Sequence, residues 1–259
     1  GCPMKIVCMI PARLQSTRLP RKLLLSTTGR PLLQYVWETA RRCPEFSDVV
    51  VATDSEEIAE VVRNFGGRAE ITGHHHSGTD RIAEVVRRCF PDADAVVNLQ
   101  GDEPELDPAV ISALVRELEH AGTEMATVAC PILSPAILRD PSCVKLVTNA
   151  LGHAMYFSRS QIPFTRDTAP EHFFRDGEPS PFLLHVGLYG YRRDFLLRLT
   201  SLPPSPLEQM EKLEQLRALQ AGARIAVAVV NHAAVGIDTP ADYEAFVQRQ
   251  QTQTIRRAA

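Results

Sequence analysis

Lys5-Ile-Val-Cys-Met-Ile10 runs directly into Pro11-Ala-Arg-Leu-Gln-Ser-Thr-Arg-Leu-Pro-Arg-Lys22. The first stretch is apolar apart from Lys5 and has the length of a strand. A continuous apolar run of that length reads as a strand buried on both faces, the pattern of a parallel sheet. The second stretch carries Arg13, Arg18, Arg21 and Lys22 and no acidic residue; the first acid in the chain is Glu38. Ligands of open α/β sheets bind at the carboxyl ends of strands, so a cationic loop released there makes an anion site. The formal net charge of the whole chain is −3, so this positive charge is local. The loop should attract a polyanion, most simply a nucleoside triphosphate. Neither G-x-x-x-x-G-K-[ST] nor G-x-G-x-x-G is present, so the loop is neither a Walker A motif nor a dinucleotide fingerprint.

Beyond the loop, strand and helix patterns alternate. Helices are expected over Pro31–Cys43, Ser55–Phe65, the stretch after Ser77-Gly78 and Pro108–His120. Strands are expected over Asp48–Thr53, Arg68–Thr72, Ala93–Leu99 and Met125–Pro131. This alternation predicts an α/β fold with a mostly parallel central sheet and helices on both faces. After Pro131 the pattern turns β-rich, with strands at Val144–Asn149, His153–Phe157 and Phe182–Tyr191. Pro163 to Pro181 reads as a long loop. One amphipathic helix over Pro206–Ala221, a strand over Arg224–Asn231 and a helix over Pro240–Gln251 follow, with Thr252–Ala259 frayed. The expected division is a nucleotide-binding part at 4–132 and a second part at 133–251, closing on one sheet as a single compact domain.

At 259 residues, 44% hydrophobic and 23% charged, the chain has ordinary globular composition. The slight negative charge argues against general nucleic-acid or anionic-membrane binding. The apolar runs are far shorter than the ~20 residues that span a bilayer, and the one after Lys5 is too short for a signal peptide. Cys2, Cys8, Cys43, Cys89, Cys130 and Cys143 form no C-x-x-C. They read as reduced residues of a cytoplasmic protein.

Further segments carry candidate chemistry. Asn98-Leu-Gln-Gly-Asp-Glu-Pro104 leaves the carboxyl end of a buried strand. Asp102 there is either a Mg²⁺ ligand beside a triphosphate or part of a β-turn. In Val235-Gly-Ile-Asp-Thr-Pro240, Asp238 reads first as a helix cap, and gains interest only if it lies beside Asp102. His74-His-His76 before Ser77-Gly-Thr-Asp-Arg81 makes a poor metal site, because adjacent residues point in different directions. It reads as a polar loop ahead of a helix. On the 206–221 helix, Glu208, Glu211, Glu214 and Gln215 share a polar side, either a solvated face or a hydrogen-bonding surface for a polyhydroxylated substrate. Period-two spacing puts His185, Gly187, Tyr189 and Tyr191 on one strand face. Arg159 and Arg166 leave room for a second anion site.

These pieces occur in one order: Ile10-Pro-Ala-Arg13 with Leu19-Pro-x-Lys22, Ala52-Thr-Asp54, Ser77-Gly-Thr-x-Arg81 and Asn98 to Pro104. Tyr156-Phe-Ser-Arg159, His185-x-Gly-x-Tyr-Gly-Tyr191, Ser205-Pro-Leu-Glu208 and Gly236-x-Asp-Thr-Pro240 follow. From about Met4 to about Phe246 the ordered set resembles the 3-deoxy-manno-octulosonate (Kdo) cytidylyltransferases. The resemblance implies a Rossmann-like nucleotide-diphospho-sugar transferase fold with a smaller β-rich sugar-binding and dimerisation part. It implies a homodimer, with CTP and Kdo as small-molecule substrates and Mg²⁺ as cofactor. The reaction implied is CMP transfer from CTP to Kdo, with release of diphosphate, for lipopolysaccharide biosynthesis. By the same resemblance, Arg13, Lys22, Asp102 and Asp238 are catalytic, the two aspartates holding metal. Pro11, Ala12, Arg13, Arg18, Lys22, Ser77, Gly78, Arg81 and Gln100 hold CTP. Gln100, Arg159, Arg166, His185, Tyr189, Glu211 and Glu214 line the sugar-acid site. Arg21 stands where the family commonly has Gly, Asp80 where it usually has Glu, and Phe164-Thr165 where Trp-Asp is commoner. These departures keep open a cytidylyltransferase for 8-amino-Kdo or a related acid. The third reading is a catalytically silent nucleotide-binding protein.

Overall fold

In chain order the computed structural model holds β1 (Ile6–Ala12), α1 (Leu32–Arg41), β2 (Phe46–Thr53), α2 (Glu56–Asn64), β3 (Arg68–Ile71), α3 (Gly78–Cys89) and β4 (Ala95–Asn98). Next come α4 (Pro108–Glu119), β5 (Met125–Pro131), α5 (Pro135–Arg139), β6 (Lys145–Thr148), β7 (Ala154–Ser158) and β8 (Leu183–Arg192). The chain ends with α6 (Arg193–Leu199), α7 (Pro206–Glu211), α8 (Gln215–Gln220), β9 (Ile225–Val229) and α9 (Pro240–Ala258). Residues 3–120, 122–175, 177–234 and 236–258 are described. Cys2, and Val235 at the head of the Gly236–Pro240 motif, lie outside them. The chain forms two compact units, each discontinuous in sequence.

The first unit comprises Lys5–Ala93, Asn98–Pro108 and Ala234–Ala259. Its strands run parallel in the order β3-β2-β1, with Ile10 opposite Val51 and Val51 opposite Ala69. Ile6 to Ile10 are all buried, as an apolar run demands. The Leu99 N–H donates to the Met9 carbonyl (3.0 Å), which fixes the start of the 99–104 segment against β1. The Ser55 and Ser77 hydroxyls cap α2 and α3, accepting from the Ile58 and Asp80 N–H groups. Leu19, Leu32, Tyr35, Ile237, Tyr243, Phe246 and Val247 form a separate apolar cluster. That cluster ties the cationic loop, α1 and α9 together and carries the Gly236–Pro240 segment to the end of β1. Helix α9 extends past the expected end at Gln251. Where a frayed end was expected, the backbone stays helical to Ala258, and the Thr252 and Thr254 hydroxyls donate to the carbonyls four residues back; Ala259 lies outside the described residues.

The second unit comprises Gly1–Met4, Asp94–Val97 and Ala109–Ala233. Here β8 runs antiparallel to β5 and β6, β6 and β7 form an antiparallel pair, and β9 runs parallel to β5. The β5–β8 ladder shifts register between Thr127 and Val128. The single helix expected over 206–221 is broken. Helix α7 stops at Glu211, Lys212 adopts a left-handed conformation (φ 55°), and α8 starts at Gln215. Side-chain periodicity runs through this corner, so the break comes from tertiary bonds to Glu211 and Lys212 rather than from the local pattern. Helices α5 and α6 were not expected; both are short, and too few residues carry their periodicity.

Gly190 on β8 shows how tightly this unit packs. A Cβ there would collide with Leu118 Cδ1 and lie 3.0 Å from Leu118 Cγ, on a fully buried side chain of α4. Gly190→Ala is therefore expected to cost about 2 kcal/mol by overpacking. It should read as a lower urea midpoint at unchanged slope; an unchanged midpoint would mean the β8–α4 contact is loose.

Candidate active site

Where β1 ends, the loop 13–22 walls a cavity of about 320 Å³ with Gln100, Gly101, Asp102 and Asp238. Leu19 and Leu23 are buried and anchor the loop from below, while Arg13 and Arg18 stay exposed. Arg21 turns the chain in the left-handed region (φ 56°) and its guanidinium forks onto the Glu57 carboxylate. Lys22 then points inward. Its Nζ donates to Asp102 Oδ2 (2.5 Å), Asp238 Oδ1 (2.9 Å) and the Ile237 carbonyl (3.1 Å). Burial alone would lower the pKa of this ammonium, but the bonds to Asp102 and then Asp238 outweigh it and raise the pKa. Arg18 adds a looser ion pair to Asp238 (3.3 Å). The Ile237 N–H donates to the Asp102 carbonyl (2.9 Å), so the two acidic segments are joined by backbone as well. Gly101 allows this approach: a Cβ there would lie 3.2–3.3 Å from Leu33 and Leu23.

A second cavity of about 250 Å³ is lined by Pro11, Ala12, Arg13, His75, His76, Ser77, Gly78, Arg81 and Gln100. Gly78 opens α3 against β1, where a Cβ would lie 3.1 Å from Pro11 Cγ. Arg81 is buried and donates to Thr72 Oγ1 (2.7 Å) and Asp54 Oδ2 (3.0 Å). Burial would raise the Asp54 pKa, yet the Arg81 bond prevails and lowers it. His75 Nε2 lies 2.5 Å from Glu84 Oε2, and the Gly73 N–H donates to the same oxygen. Glu84 thereby fixes the loop that forms the wall of this cavity.

In the second unit a cleft of about 470 Å³ is lined by Ser142, Cys143, Val144, Leu184, His185, Gly187, Tyr189, Lys212, Leu213, Glu214 and Gln215. His185 is hydrogen-bonded to Thr127 Oγ1 (2.8 Å), with its ring 5.0 Å from Phe157 and 5.4 Å from Tyr189. Burial pushes its pKa down to about 3, so the ring is neutral. Burial, and after it the charge of Glu214, pushes the Tyr189 phenol up.

A family model described as cytidylyltransferase matches residues 7–225. The 3-deoxy-manno-octulosonate cytidylyltransferase of Geobacter sulfurreducens is 45% identical over 251 residues, covering 95% of this chain and 99% of the relative. The chain belongs to that family. The enzyme of the same name from Rhodopirellula baltica is 44% identical, covering 96% of this chain and all of the relative. A structure of CMP:2-keto-3-deoxy-manno-octonic acid synthetase complexed with CTP matches with a TM-score of 0.87 and 40% identity, over 96% of this chain and 99% of that one. A 4-diphosphocytidyl-2C-methyl-D-erythritol synthase from Anaerococcus prevotii matches at 12% identity with a TM-score of 0.63, over 96% of this chain and 97% of that one, and so shares the fold alone.

Against the residues that the family resemblance implies, the geometry divides them. Arg13, Arg18, Lys22, Gln100, Asp102 and Asp238 line one cavity. Pro11, Ala12, Ser77, Gly78 and Arg81 line the adjoining one, which shares Arg13 and Gln100 with it. His185, Tyr189 and Glu214 line the cleft of the second unit. Glu211 and Arg159 are bonded into the scaffold. The Glu211 carboxylate accepts from the Ser158 hydroxyl (2.7 Å) and the Arg159 N–H (2.9 Å). The Arg159 guanidinium donates to the carbonyls of Glu211 (2.7 Å), Pro141 (3.0 Å) and Lys212 (3.4 Å). Arg166 is exposed and paired with Asp167 (2.9 Å). Glu208 closes the capping box of α7 and pairs with Arg217. His75 and His76 line the nucleotide-side cavity although they read as a plain polar loop; their place next to Ser77-Gly78 was the available signal.

Glu103 gives the first unit a pH dependence. It is buried, and its Oε2 has no hydrogen-bond partner among the described residues. Burial, and then the charge of Asp102, pushes its pKa from 4.5 to about 7. Between those values the folded chain keeps a proton that the unfolded chain has released. The contribution of Glu103 to stability is therefore fully present below about 4.5 and is lost as pH rises to about 7, by on the order of 3 kcal/mol. Urea midpoints measured in EDTA between pH 5 and 7.5 should show this fall. Glu103→Gln, which cannot ionise, should remove most of it; an unaltered slope would clear Glu103 of the effect.

Proposed function

We propose that the protein transfers CMP from CTP to the anomeric hydroxyl of Kdo, releasing diphosphate and supplying activated Kdo for lipopolysaccharide biosynthesis. The observation that carries this reading is the convergence of Asp102 and Asp238 on the Lys22 ammonium, at the end of β1 and beneath Arg13 and Arg18. A cation already sits between the two carboxylates. Hard oxygen donors of that kind, completed by phosphate oxygens, suit Mg²⁺. Asp102 and Asp238 would hold the ion, which when bound neutralises charge at the α-phosphate and the leaving group. Lys22, Arg13 and Arg18 grip the triphosphate and stabilise negative charge as it develops on diphosphate. The α3 start at Ser77-Gly78 and the end of β1 enclose the nucleoside, with Arg81 holding the wall in place. The sugar hydroxyl attacks the α-phosphorus in line, diphosphate leaves with the bonding electrons, and the hydroxyl proton passes to solvent. At about 3, His185 is too weak a base for that proton and serves as a hydrogen-bonding group for the sugar.

A homodimer in the cytoplasm completes the reading. Leu151, Met155, Met210 and Val229 in the second unit are exposed apolar side chains that a partner copy would cover. Cys8, Cys43, Cys89, Cys130 and Cys143 are free thiols, and among the described residues no helix is long and apolar enough to cross a membrane. The sugar is tested by competing Kdo with 8-amino-Kdo under CTP and Mg²⁺. Preference for Kdo is expected; a large preference for the amino sugar would transfer the assignment to that substrate.

A further inference from the structure

Asp102 and Asp238 reach the Lys22 ammonium from segments that are held in different ways. Asp102 follows a buried strand, and the Leu99 N–H just before it is tied to the Met9 carbonyl (3.0 Å). Gly236, Ile237 and Asp238 belong to no strand or helix. Ile237 is buried in the apolar cluster, and its N–H is taken by the Asp102 carbonyl (2.9 Å). The Asp238 side chain is half-exposed, and its two oxygens meet Lys22 and Arg18. Its backbone N–H donates to Asp242 Oδ2 (3.1 Å), in the first turn of α9. The same oxygen accepts from the Thr239 N–H (2.8 Å), and the Thr239 hydroxyl accepts from the Asp242 N–H (3.2 Å). The bonds with Thr239 make a capping box, which is all that a helix start requires. The bond from Asp238 is additional, and it comes from the residue whose carboxylate lies in the candidate metal site. The two N–H groups on Asp242 Oδ2 belong to the two peptide planes that flank the Asp238 Cα. Fixing both planes fixes the only soft backbone dihedrals of Asp238, and so the direction in which its side chain leaves the chain. The bonds with Thr239, and after them the Asp238 N–H, lower the Asp242 pKa, so the carboxylate is charged at neutral pH. Both backbone bonds are therefore charge-assisted.

We infer that Asp242 is the positioning residue for Asp238: it sets the backbone of Asp238 and thereby aims the carboxylate at the metal. The inference rests on the proposed metal role of Asp238 and adds the group that stands behind it. Partners that orient a metal-binding side chain typically govern metal affinity by roughly 10–100-fold.

The test measures CTP binding by calorimetry on the full chain, in EDTA and again in saturating Mg²⁺, with no sugar present. Wild type is expected to bind CTP more tightly in Mg²⁺. Asp242→Ala leaves Arg13, Arg18 and Lys22 in place, so its Kd for CTP in EDTA should stay near wild type. Its Kd in Mg²⁺ should rise about tenfold, the lower end of the effect of losing such a partner. Asp242→Asn keeps an oxygen that can accept from both N–H groups and should recover part of that loss. Ser134→Ala is the control for stability: it removes the cap of α5, where the Ser134 hydroxyl accepts from the Ile137 N–H (3.4 Å). It should lower the melting temperature, as Asp242→Ala does, and leave both Kd values unchanged. An Asp242→Ala protein with a lower melting temperature and an unchanged Kd in Mg²⁺ would make Asp242 a helix cap only and overturn the inference. An equal rise of Kd in EDTA would also overturn it, because the loss would then lie in nucleotide binding itself. A wild type whose CTP binding ignores Mg²⁺ would instead remove the metal from Asp238, and the inference with it.

Discussion

Asp102→Asn lowers turnover at least ~100-fold and leaves the fold intact, the size expected when a charged group that stabilises the transition state is lost. The asparagine side chain has nearly the same shape, and the contact that joins the two acidic segments uses the Asp102 backbone carbonyl, which the substitution leaves in place. What disappears is one of the two negative charges that meet at the Lys22 ammonium. Lys22 then pairs with Asp238 alone, and the candidate metal site keeps one carboxylate. The check is steady-state diphosphate release beside a melting curve. Turnover close to wild type, with an unchanged melting temperature, would take Asp102 out of the chemistry.

Lys145→Met lowers stability by about 3 kcal/mol, because carbonyls that lose a buried donor bear the full cost of desolvation. The Lys145 side chain is fully buried, and its Nζ donates to the carbonyls of Asp140 (2.9 Å), Cys143 (2.6 Å) and Arg159 (2.5 Å). Methionine fills the space of the stem and supplies no donor. Burial is the leading cause that lowers the lysine's pKa, so the environment tolerates the ammonium only because of those acceptors. The melting temperature should fall by roughly 6–12 °C. The loss should also loosen the Arg159–Glu211 clasp at the rim of the cleft. An unchanged melting temperature would mean that water replaces the ammonium at no cost.

The parts of the fold that depend on neighbouring residues were legible in the sequence. The apolar run before Pro11, the alternation of strand and helix and the parallel pairing of β1, β2 and β3 follow from local pattern. The parts that depend on contact between distant residues were not. Nothing local places Asp238 against Lys22; the apolar cluster of Leu19, Ile237 and Tyr243 does so. Helical periodicity runs unbroken from Pro206 to Ala221, yet bonds from Ser158 and Arg159 hold the corner that splits it. The same bonds draw Arg159 and Glu211 into the scaffold, although both residue types suit a sugar-acid site. Arg21 follows the same logic in reverse. A left-handed turn suits a glycine, and here an arginine takes that conformation while its side chain is held by Glu57.

The measurement that tests the central claim most directly is diphosphate release by the purified protein with CTP, Mg²⁺ and Kdo. It is run beside one control without the sugar and one with UTP in place of CTP. Release that requires both CTP and Kdo is the expected result. No release with Kdo, or release that proceeds equally without the sugar, would contradict it.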